Sequence, residues 1–227
     1  MSPPQPTATP RRGRPRLDSR PVIGDPQEAI LNAAARLVNE HGVSDTSISR
    51  IAKEVGLTQS SVYYYFANKT EILVALMNRG MEKASGNLQQ VIAAGGSPAV
   101  QLFEFIRSDV RTLCDLELDM GDINRVAARD RASFATYWDH VAQMEHQLAD
   151  LLRRGVAEQE LRTIDPALAA TTILANNEGA LTRFQWGTAW TSEQFGEHLA
   201  DMVLRGLLID PGRIDEIRRR ADELNAA

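Results

Sequence analysis

Apolar residues recur at steps of three and four along most of the chain after residue 24, a spacing typical of amphipathic α-helices. In the first such segment, Ile30, Ala34 and Leu37 form one stripe. Asp25, followed by a proline, predicts the N-terminal cap of this helix, with Glu28 completing a capping box. Gly42 predicts its end, because glycine readily takes the left-handed conformation that closes a helix.

Two short helices and a long one are predicted next. Ser47 and Thr58 can each cap a short helix, and Gly56 lies between them as the residue that reverses the chain. Asn68 with Glu71 predicts a capping box at the start of a long fourth helix.

The rest of the chain continues the helical pattern. The linker 93–97 is rich in alanine and glycine, residues 117–131 are less regular, and a strong stripe begins at Phe134. Asp165 and Thr191 predict two further helix starts, and Pro211-Gly212 breaks the chain before a last amphipathic piece. Sustained alternation of β-branched residues does not occur, so an all-α fold is predicted. The predicted divisions are a disordered basic arm (1–24), a three-helix head (25–70), a larger helical body (71–210) and a C-terminal amphipathic segment (211–227).

The spacing of Ala52, Gly56 and Val62 is that of a helix-turn-helix. A small residue at Ala52 allows the two helices to cross closely, and Val62 fills the angle between them. Val62 and Phe66 are four apart on the next helix and should point into the core of the head. The pattern therefore predicts a compact head built around a short third helix.

The other faces of the third helix carry polar and aromatic groups. Gln59 and Tyr63 share one face, and Ser60 shares another with Tyr64. Gln59 can pair with the edge of a base, most simply adenine, and small serines allow the helix to approach the major groove closely. Lys69, in the first turn of the fourth helix, is predicted to contact phosphate. The alternative is that the aromatic run is an ordinary core patch.

These residues also carry a family resemblance. The stretch TSISRIAKEVGLTQSSVYYYFANKTEIL resembles the DNA-binding head of the TetR family of bacterial transcriptional regulators, from about Ala29 to Met77. The resemblance implies a homodimer, double-stranded DNA as partner, and a small-molecule effector site in the body. It implies base-facing roles for Ser49, Gln59, Ser60 and Tyr63, and phosphate contacts for Ser47, Ser61, Tyr64, Tyr65 and Lys69. A longer or basic residue often stands at the position of Ser49 in this family, so base reading from the second helix is expected to be weaker here.

Charge is distributed unevenly. The net charge of the 227 residues is −5. Residues 1–24 contain five arginines and one aspartate, giving +4, so the remainder carries −9. This asymmetry favours a polyanion partner at one end. The segment RRGRPR has the core of an AT-hook, which places arginines in a narrow minor groove; the candidates are Arg11, Arg12, Arg14 and Arg16. A solvated basic tail that acts only through counterion release explains the same residues equally well.

The body offers candidates for two surfaces. Small residues on the helix after Pro166, with an apolar stripe on the next helix, predict a four-helix dimer interface; its candidates are Thr172, Ala175, Gly179, Leu199, Met202 and Val203. Intrachain packing of both faces is the alternative. An apolar, aromatic effector pocket is predicted from Phe103, Ile106, Val110, Cys114, Met120, Trp138, Met144, Asn176, Asn177, Phe184 and Trp186.

The sequence shows no catalytic or metal-binding constellation. His140 and His146 are six apart and share no helix face, and HExxH, CxxC, GxSxG and phosphate-loop patterns do not occur. We expect no enzyme activity, metal or cofactor. The single cysteine, the lack of a membrane-spanning apolar run and an N-terminus unlike a secretory signal predict a cytoplasmic protein.

These observations together predict a ligand-responsive DNA-binding regulator, a repressor that releases a palindromic operator when a small hydrophobic or aromatic effector binds. The alternative is an architectural protein that binds AT-rich DNA without an effector and lacks a cavity. An enzyme with a helical body is a third possibility, disfavoured by the missing constellation.

Overall fold

The computed structural model describes residues 25–115, 118, 120–185 and 187–225, and ten α-helices form the described part of the chain. The predicted all-α fold class is confirmed. The helices are α1 (Pro26–Asp45), α2 (Ile48–Glu54), α3 (Gln59–Tyr65), α4 (Lys69–Ala93), α5 (Pro98–Cys114), α6 (Met120–Arg129), α7 (Ala135–Ala157), α8 (Pro166–Gln185), α9 (Ser192–Leu207) and α10 (Ile214–Asn225), with a 3₁₀ turn at Pro211–Arg213.

The first helix follows its predicted signals with one exception. The Asp25 carboxylate accepts a hydrogen bond from the Gln27 N–H at 2.8 Å. Gly42, at φ 75°, interrupts α1 before a final turn that ends at Asp45. Glu28 was predicted to complete a capping box, but its carboxylate binds Arg79 of α4 at 3.1 Å. The side chain thus joins α1 of the head to the part of α4 that belongs to the body.

The predicted caps on the shorter helices are present. The hydroxyls of Ser47 and Thr58 accept hydrogen bonds from N–H groups in the first turns of α2 and α3. Gly56 has φ 70°, as the turn between these helices requires. The Asn68 side chain caps α4, while the Glu71 carboxylate accepts from the Ala67 N–H at 2.8 Å.

The body is organised around α5, which packs against α4, α7, α8, α9 and α10. This helix is therefore buried on most of its circumference. Its approach to α9 is very close: a Cβ on Gly196 would lie 2.5 Å from the carbonyl oxygen of Arg107. Arg107 itself binds the carboxylates of Glu104, Glu197 and Asp222, which joins α5 to α9 and α10.

Two further features place the head on the body. Helix α4 runs without interruption from the end of the head into the body, and α6 contacts both α1 and α4.

The linker after α4 contains Gly95 and Gly96, both with positive φ. Within the described residues, every helix is too short or too polar to cross a membrane.

Candidate DNA-binding surface and ligand cavity

The third helix exposes its polar and aromatic side chains above two buried apolar residues. Val62 is fully buried and Phe66 is nearly so. Tyr63, Tyr64 and Tyr65 are 51%, 83% and 37% exposed. This exposure excludes the alternative in which the tyrosines form a core patch. Adjacent exposed aromatic rings on one short helix indicate a surface that a partner covers.

The hydroxyl groups near the start of α3 are held by one another. The Thr58 hydroxyl lies 2.8 Å from the hydroxyls of both Ser60 and Ser61. Gln59 is exposed beside them, as are Ser47 and Ser49 at the start of α2. Each serine hydroxyl keeps acceptor capacity in this arrangement, because a hydroxyl has one donor and two acceptor positions.

Lys69 has a different role from the predicted phosphate contact. Its ammonium donates to the carbonyl oxygens of Val43 and Thr46, at 2.7 Å and 2.9 Å. These carbonyls belong to the end of α1 and the loop before α2. The lysine therefore holds the N-terminal turn of α4 against the rest of the head. Two of its three ammonium protons are donated to groups within the protein.

Lys53 is a cation at this surface that the sequence analysis missed. It lies four residues after Ser49 on α2, so the two share a helix face, and both are exposed. The signal was available in the i, i+4 spacing from Ser49. Lys53 is therefore an exposed cation on the same face of α2 as Ser49.

A cavity of about 470 Å³ lies in the body between α4, α5, α6, α7 and α8. Its wall is largely apolar, and Met120, Trp138 and Met144 of the predicted pocket line it. Tyr137 also lines the cavity. It was not predicted as a pocket residue, because its place on the apolar stripe of α7 indicates only burial in the core. The polar wall residues that the sequence analysis did not identify are Asp109, Asn124, Arg125, Tyr137, Glu145, Thr171 and Glu178.

Most other predicted pocket residues do not line this cavity. Phe103, Ile106 and Val110 are fully buried core residues, because α5 is covered by helices on most sides. Cys114 is buried and Phe184 is half-buried, and neither lines the cavity. Asn176 faces an outer groove instead, and Asn177 lies behind the wall. The predictions for these seven residues are therefore corrected.

Asp109 is the most unusual residue of the wall. It is 2% exposed, and its Oδ2 accepts a hydrogen bond from Asn177 Nδ2 at 2.8 Å. Its Oδ1 is buried without a hydrogen-bond partner. Burial raises the pKa of Asp109 to about 6, and the bond from Asn177 opposes this rise. A hydrogen bond to the charged form favours ionisation, but desolvation is the larger effect here.

Other described polar groups of the wall are paired with one another. The Tyr137 hydroxyl donates to Asn124 Oδ1 at 2.9 Å, and Asn124 Nδ2 donates to Glu178. Burial, and then the Glu178 carboxylate, raise the pKa of Tyr137 above its ordinary value. On the same wall, Thr171 donates to Glu145 at 3.0 Å.

Helix α6 connects the cavity to the head. Met120, Asn124 and Arg125 line the cavity, while Asp122 on the same helix accepts a hydrogen bond from the Val43 N–H at 3.1 Å. This bond from Val43, and then the Arg125 guanidinium, lower the pKa of Asp122. The bond lies beside the Gly42 kink and the Val43 carbonyl that binds Lys69.

The outer surface of α8 and α9 carries a second, apolar groove. Thr172, Met202 and Val203 of the predicted dimer interface line it, together with Asn176. Leu168 and Met202 are large apolar side chains that remain exposed there. Ala175, also predicted for this interface, lies on the wall of the inner cavity. Gly179 and Leu199 are respectively exposed and half-buried outside the groove.

Some predictions concern residues outside the described part of the chain. The arm residues Arg11, Arg12, Arg14 and Arg16 precede it, and Trp186 falls in a gap.

Among the described residues, His, Cys, Asp and Glu side chains form no cluster that could hold a metal ion. Burial raises the pKa of the Cys114 thiol to about 11, which is unsuited to a nucleophile.

Two family profiles match the chain. Residues 30–76 match the bacterial regulatory proteins of the tetR family, and residues 95–207 match the tetracyclin repressor-like C-terminal domain. The first match contains α2, α3 and the start of α4. The second contains all the described helices of the body from α5 to α9.

Individual proteins are similar over most of their length. The nucleoid occlusion factor SlmA of Haemophilus influenzae is 24% identical over 185 residues, covering 77% of this chain and 82% of SlmA. The HTH-type transcriptional repressor KstR2 of Mycobacterium tuberculosis is 21% identical over 183 residues, covering 78% of this chain and 90% of KstR2.

Solved structures share the fold. The ketosteroid transcriptional regulator KstR2 of Mycobacterium tuberculosis has a TM-score of 0.68 at 20% identity, covering 83% of this chain and 97% of KstR2. AibR, solved in complex with isovaleryl coenzyme A and operator DNA, has a TM-score of 0.66 at 21% identity, covering 78% and 96%. Regulators of the tetR family are not enzymes. The exposed third helix and the two profile matches together identify the family of this chain. The chain belongs to the TetR family of DNA-binding bacterial transcriptional regulators.

Proposed function

We propose that this protein is a ligand-responsive repressor that releases a palindromic operator when a small hydrophobic or aromatic molecule enters the cavity of the body. The proposal rests on the position of α6. This helix contributes residues to the cavity wall, and its Asp122 accepts a hydrogen bond from the Val43 N–H of the head. Among similar proteins, AibR was solved with an acyl coenzyme A and operator DNA, and SmeT is the repressor of a multidrug efflux pump. Action on bacterial DNA places the protein in the cytoplasm.

The DNA contacts follow from the exposed face of the head. Gln59, Ser60 and Tyr63 of α3 read base edges, with Ser49 of α2 in a lesser role. Phosphates are bound by Ser47, Lys53, Ser61, Tyr64 and Tyr65. Lys69 is not one of these contacts, because its ammonium binds two carbonyl oxygens within the head. The arginine-rich arm strengthens binding through the minor groove or through counterion release.

A homodimer supplies the second head that a palindromic operator needs. The apolar groove on α8 and α9, with the exposed Leu168 and Met202, is the surface where the partner protomer packs. In the DNA-bound dimer the two α3 helices enter successive major grooves about 34–36 Å apart. TetR-family proteins are typically dimeric, which supports this arrangement.

The effector acts by favouring one of two head positions. A ligand that contacts Asn124 or Arg125 displaces α6, and the hydrogen bond between Asp122 and Val43 passes this displacement to the end of α1. The spacing of the heads then no longer fits the operator. A ligand shifts the equilibrium only by its difference in affinity for the two states.

The coupling can be tested through Asp122. An operator is first selected from random DNA, and effectors are identified from a metabolite panel by the rise that they cause in Tm. The Asp122→Asn variant should bind the operator but respond to the effector at least about ten-fold less, because the bond between body and head is weakened. Asp139→Asn, an exposed change on α7, is the matched control.

The alternative of an architectural protein gives a different result in the same experiments. It would bind many DNA sequences with similar affinity and would release none of them with a metabolite. The cavity, which that alternative lacks, favours the regulator. Selection of no consensus sequence from random DNA would refute the repressor proposal.

A further inference from the structure

The cavity wall carries one buried carboxylate that the protein leaves incompletely paired. We propose that the ligand of this cavity is an apolar molecule bearing a protonated amine, and that the ammonium binds Asp109. The proposal rests on the cavity being the effector site proposed above. It adds the chemical class of the effector, which separates it from acidic ligands such as fatty acids or acyl coenzyme A.

The position, burial and hydrogen bonding of Asp109 support this proposal. The side chain lines the cavity, is 2% exposed, and uses only Oδ2, which accepts from Asn177 at 2.8 Å. Oδ1 is buried without a donor. A buried acceptor without a partner is rare in folded proteins and costs stability. An ammonium in the cavity would supply both the missing donor and the missing positive charge.

The charges of the rest of the wall agree with a cation. Among the described residues of the wall, Glu145 and Glu178 add two carboxylates, whereas Arg125 is the single positively charged side chain. The Arg125 guanidinium is already paired with Asp122. Since like charges repel in a region of low dielectric, a carboxylate or phosphate ligand would be disfavoured here.

The apolar part of the wall defines the rest of the ligand. Met81, Leu113, Met144 and Leu174 surround the space, and the ring of Trp138 forms part of one side. A volume of about 470 Å³ accepts a compact arylalkyl or alicyclic body. Such a body gains affinity from burial, while the single ammonium fixes its orientation at Asp109.

The raised pKa of Asp109 gives the binding a pH dependence. Burial raises this pKa to about 6 in the empty protein, and an ammonium beside the carboxylate favours the ionised form. Below that pH the carboxyl must lose its proton for the amine to bind, so amine affinity should rise with pH until it levels off above about 7. In the part of the wall that the structure describes, the other titratable or charged groups are Arg125 of α6, Tyr137 and Glu145 of α7, and Glu178 of α8. On the far side of α5, Arg107 is occupied by Glu104, Glu197 and Asp222.

Three probes with one apolar body test the proposal: 4-phenylbutylamine, 4-phenylbutanol and 4-phenylbutyrate. Their affinities for the full-length protein and for Asp109→Asn are measured by calorimetry at several pH values. The amine should bind wild type at least about ten-fold more tightly than the alcohol, and the acid should bind most weakly. Asp109→Asn should lose this preference while it still binds the alcohol, which shows that its cavity is intact. If the variant binds neither, the pH dependence of amine binding to wild type decides, and a flat profile between pH 5 and about 7 overturns the proposal.

Two other outcomes also overturn it: equal affinity of the amine and the alcohol for wild type, or no measurable binding of the amine at about millimolar concentration. Operator binding is measured separately with the same probes. An amine that binds through Asp109 without changing operator affinity would leave the ligand class standing and remove the proposed regulatory response. Conversely, release by the acid alone would support regulation and refute the ligand class.

Discussion

Replacing Asp109 by asparagine should stabilise the empty protein at neutral pH. The carboxyl is buried with one hydrogen-bond donor, from Asn177, and its pKa is raised from 3.8 to about 6. Between these values the native state holds the proton more tightly than the unfolded state. The free energy of unfolding therefore falls as the pH rises through this window, and the loss is nearly complete by about pH 7.

The size of the effect follows from the rise in pKa. A difference of one in pKa corresponds to about 1.4 kcal/mol, so the rise of Asp109 to about 6 corresponds to roughly 3 kcal/mol. Asparagine keeps the shape of the side chain and cannot ionise. We expect Asp109→Asn to be more stable than wild type by up to about 3 kcal/mol near pH 7.5, with almost no gain near pH 4.

Urea denaturation followed by circular dichroism measures this directly, at one protomer concentration because dimerisation contributes to stability. Asp139→Asn, at an exposed site on α7, is the control and should show little change at either pH. A variant of Asp109 that is less stable than wild type at neutral pH would refute the reasoning. It would mean that ionisation of Asp109 costs the native state less than its burial implies.

Four further predictions concern the head, the body and the arm. Lys69→Met should destabilise the protein by about 1.5–3 kcal/mol in urea denaturation, since charge-assisted bonds to two carbonyls are lost. Gln59→Ala should relax operator preference in a competition assay, with little change in binding to random DNA. Gly196→Ala should lower stability by about 1–3 kcal/mol, because its Cβ would meet the Arg107 carbonyl; an unchanged Tm would contradict this contact. Deletion of residues 1–20 should flatten the salt dependence of DNA binding, and an unchanged slope would exclude the arm from the mechanism.

The sequence determined the local structure of the head because each signal there acts over a few residues. Thr58 caps α3, Gly56 provides the turn, and the four-residue spacing of Val62 and Phe66 decides which side of the helix is buried. The exposure of the tyrosines follows from the same spacing. Caps, turns and helical periodicity depend on neighbours in the chain, so they can be read without knowing the tertiary fold.

Only the tertiary structure decided which polar and apolar groups of the body meet. Phe103 and Met144 both lie on apolar stripes of their helices, but α5 is enclosed by helices while one side of α7 faces the cavity. Lys69 finds its carbonyl partners 26 and 23 residues away, and Asp109 meets Asn177 across 68 residues. Such contacts depend on the angles and distances at which helices pack, and periodicity along one helix contains no information about the helix that will lie opposite.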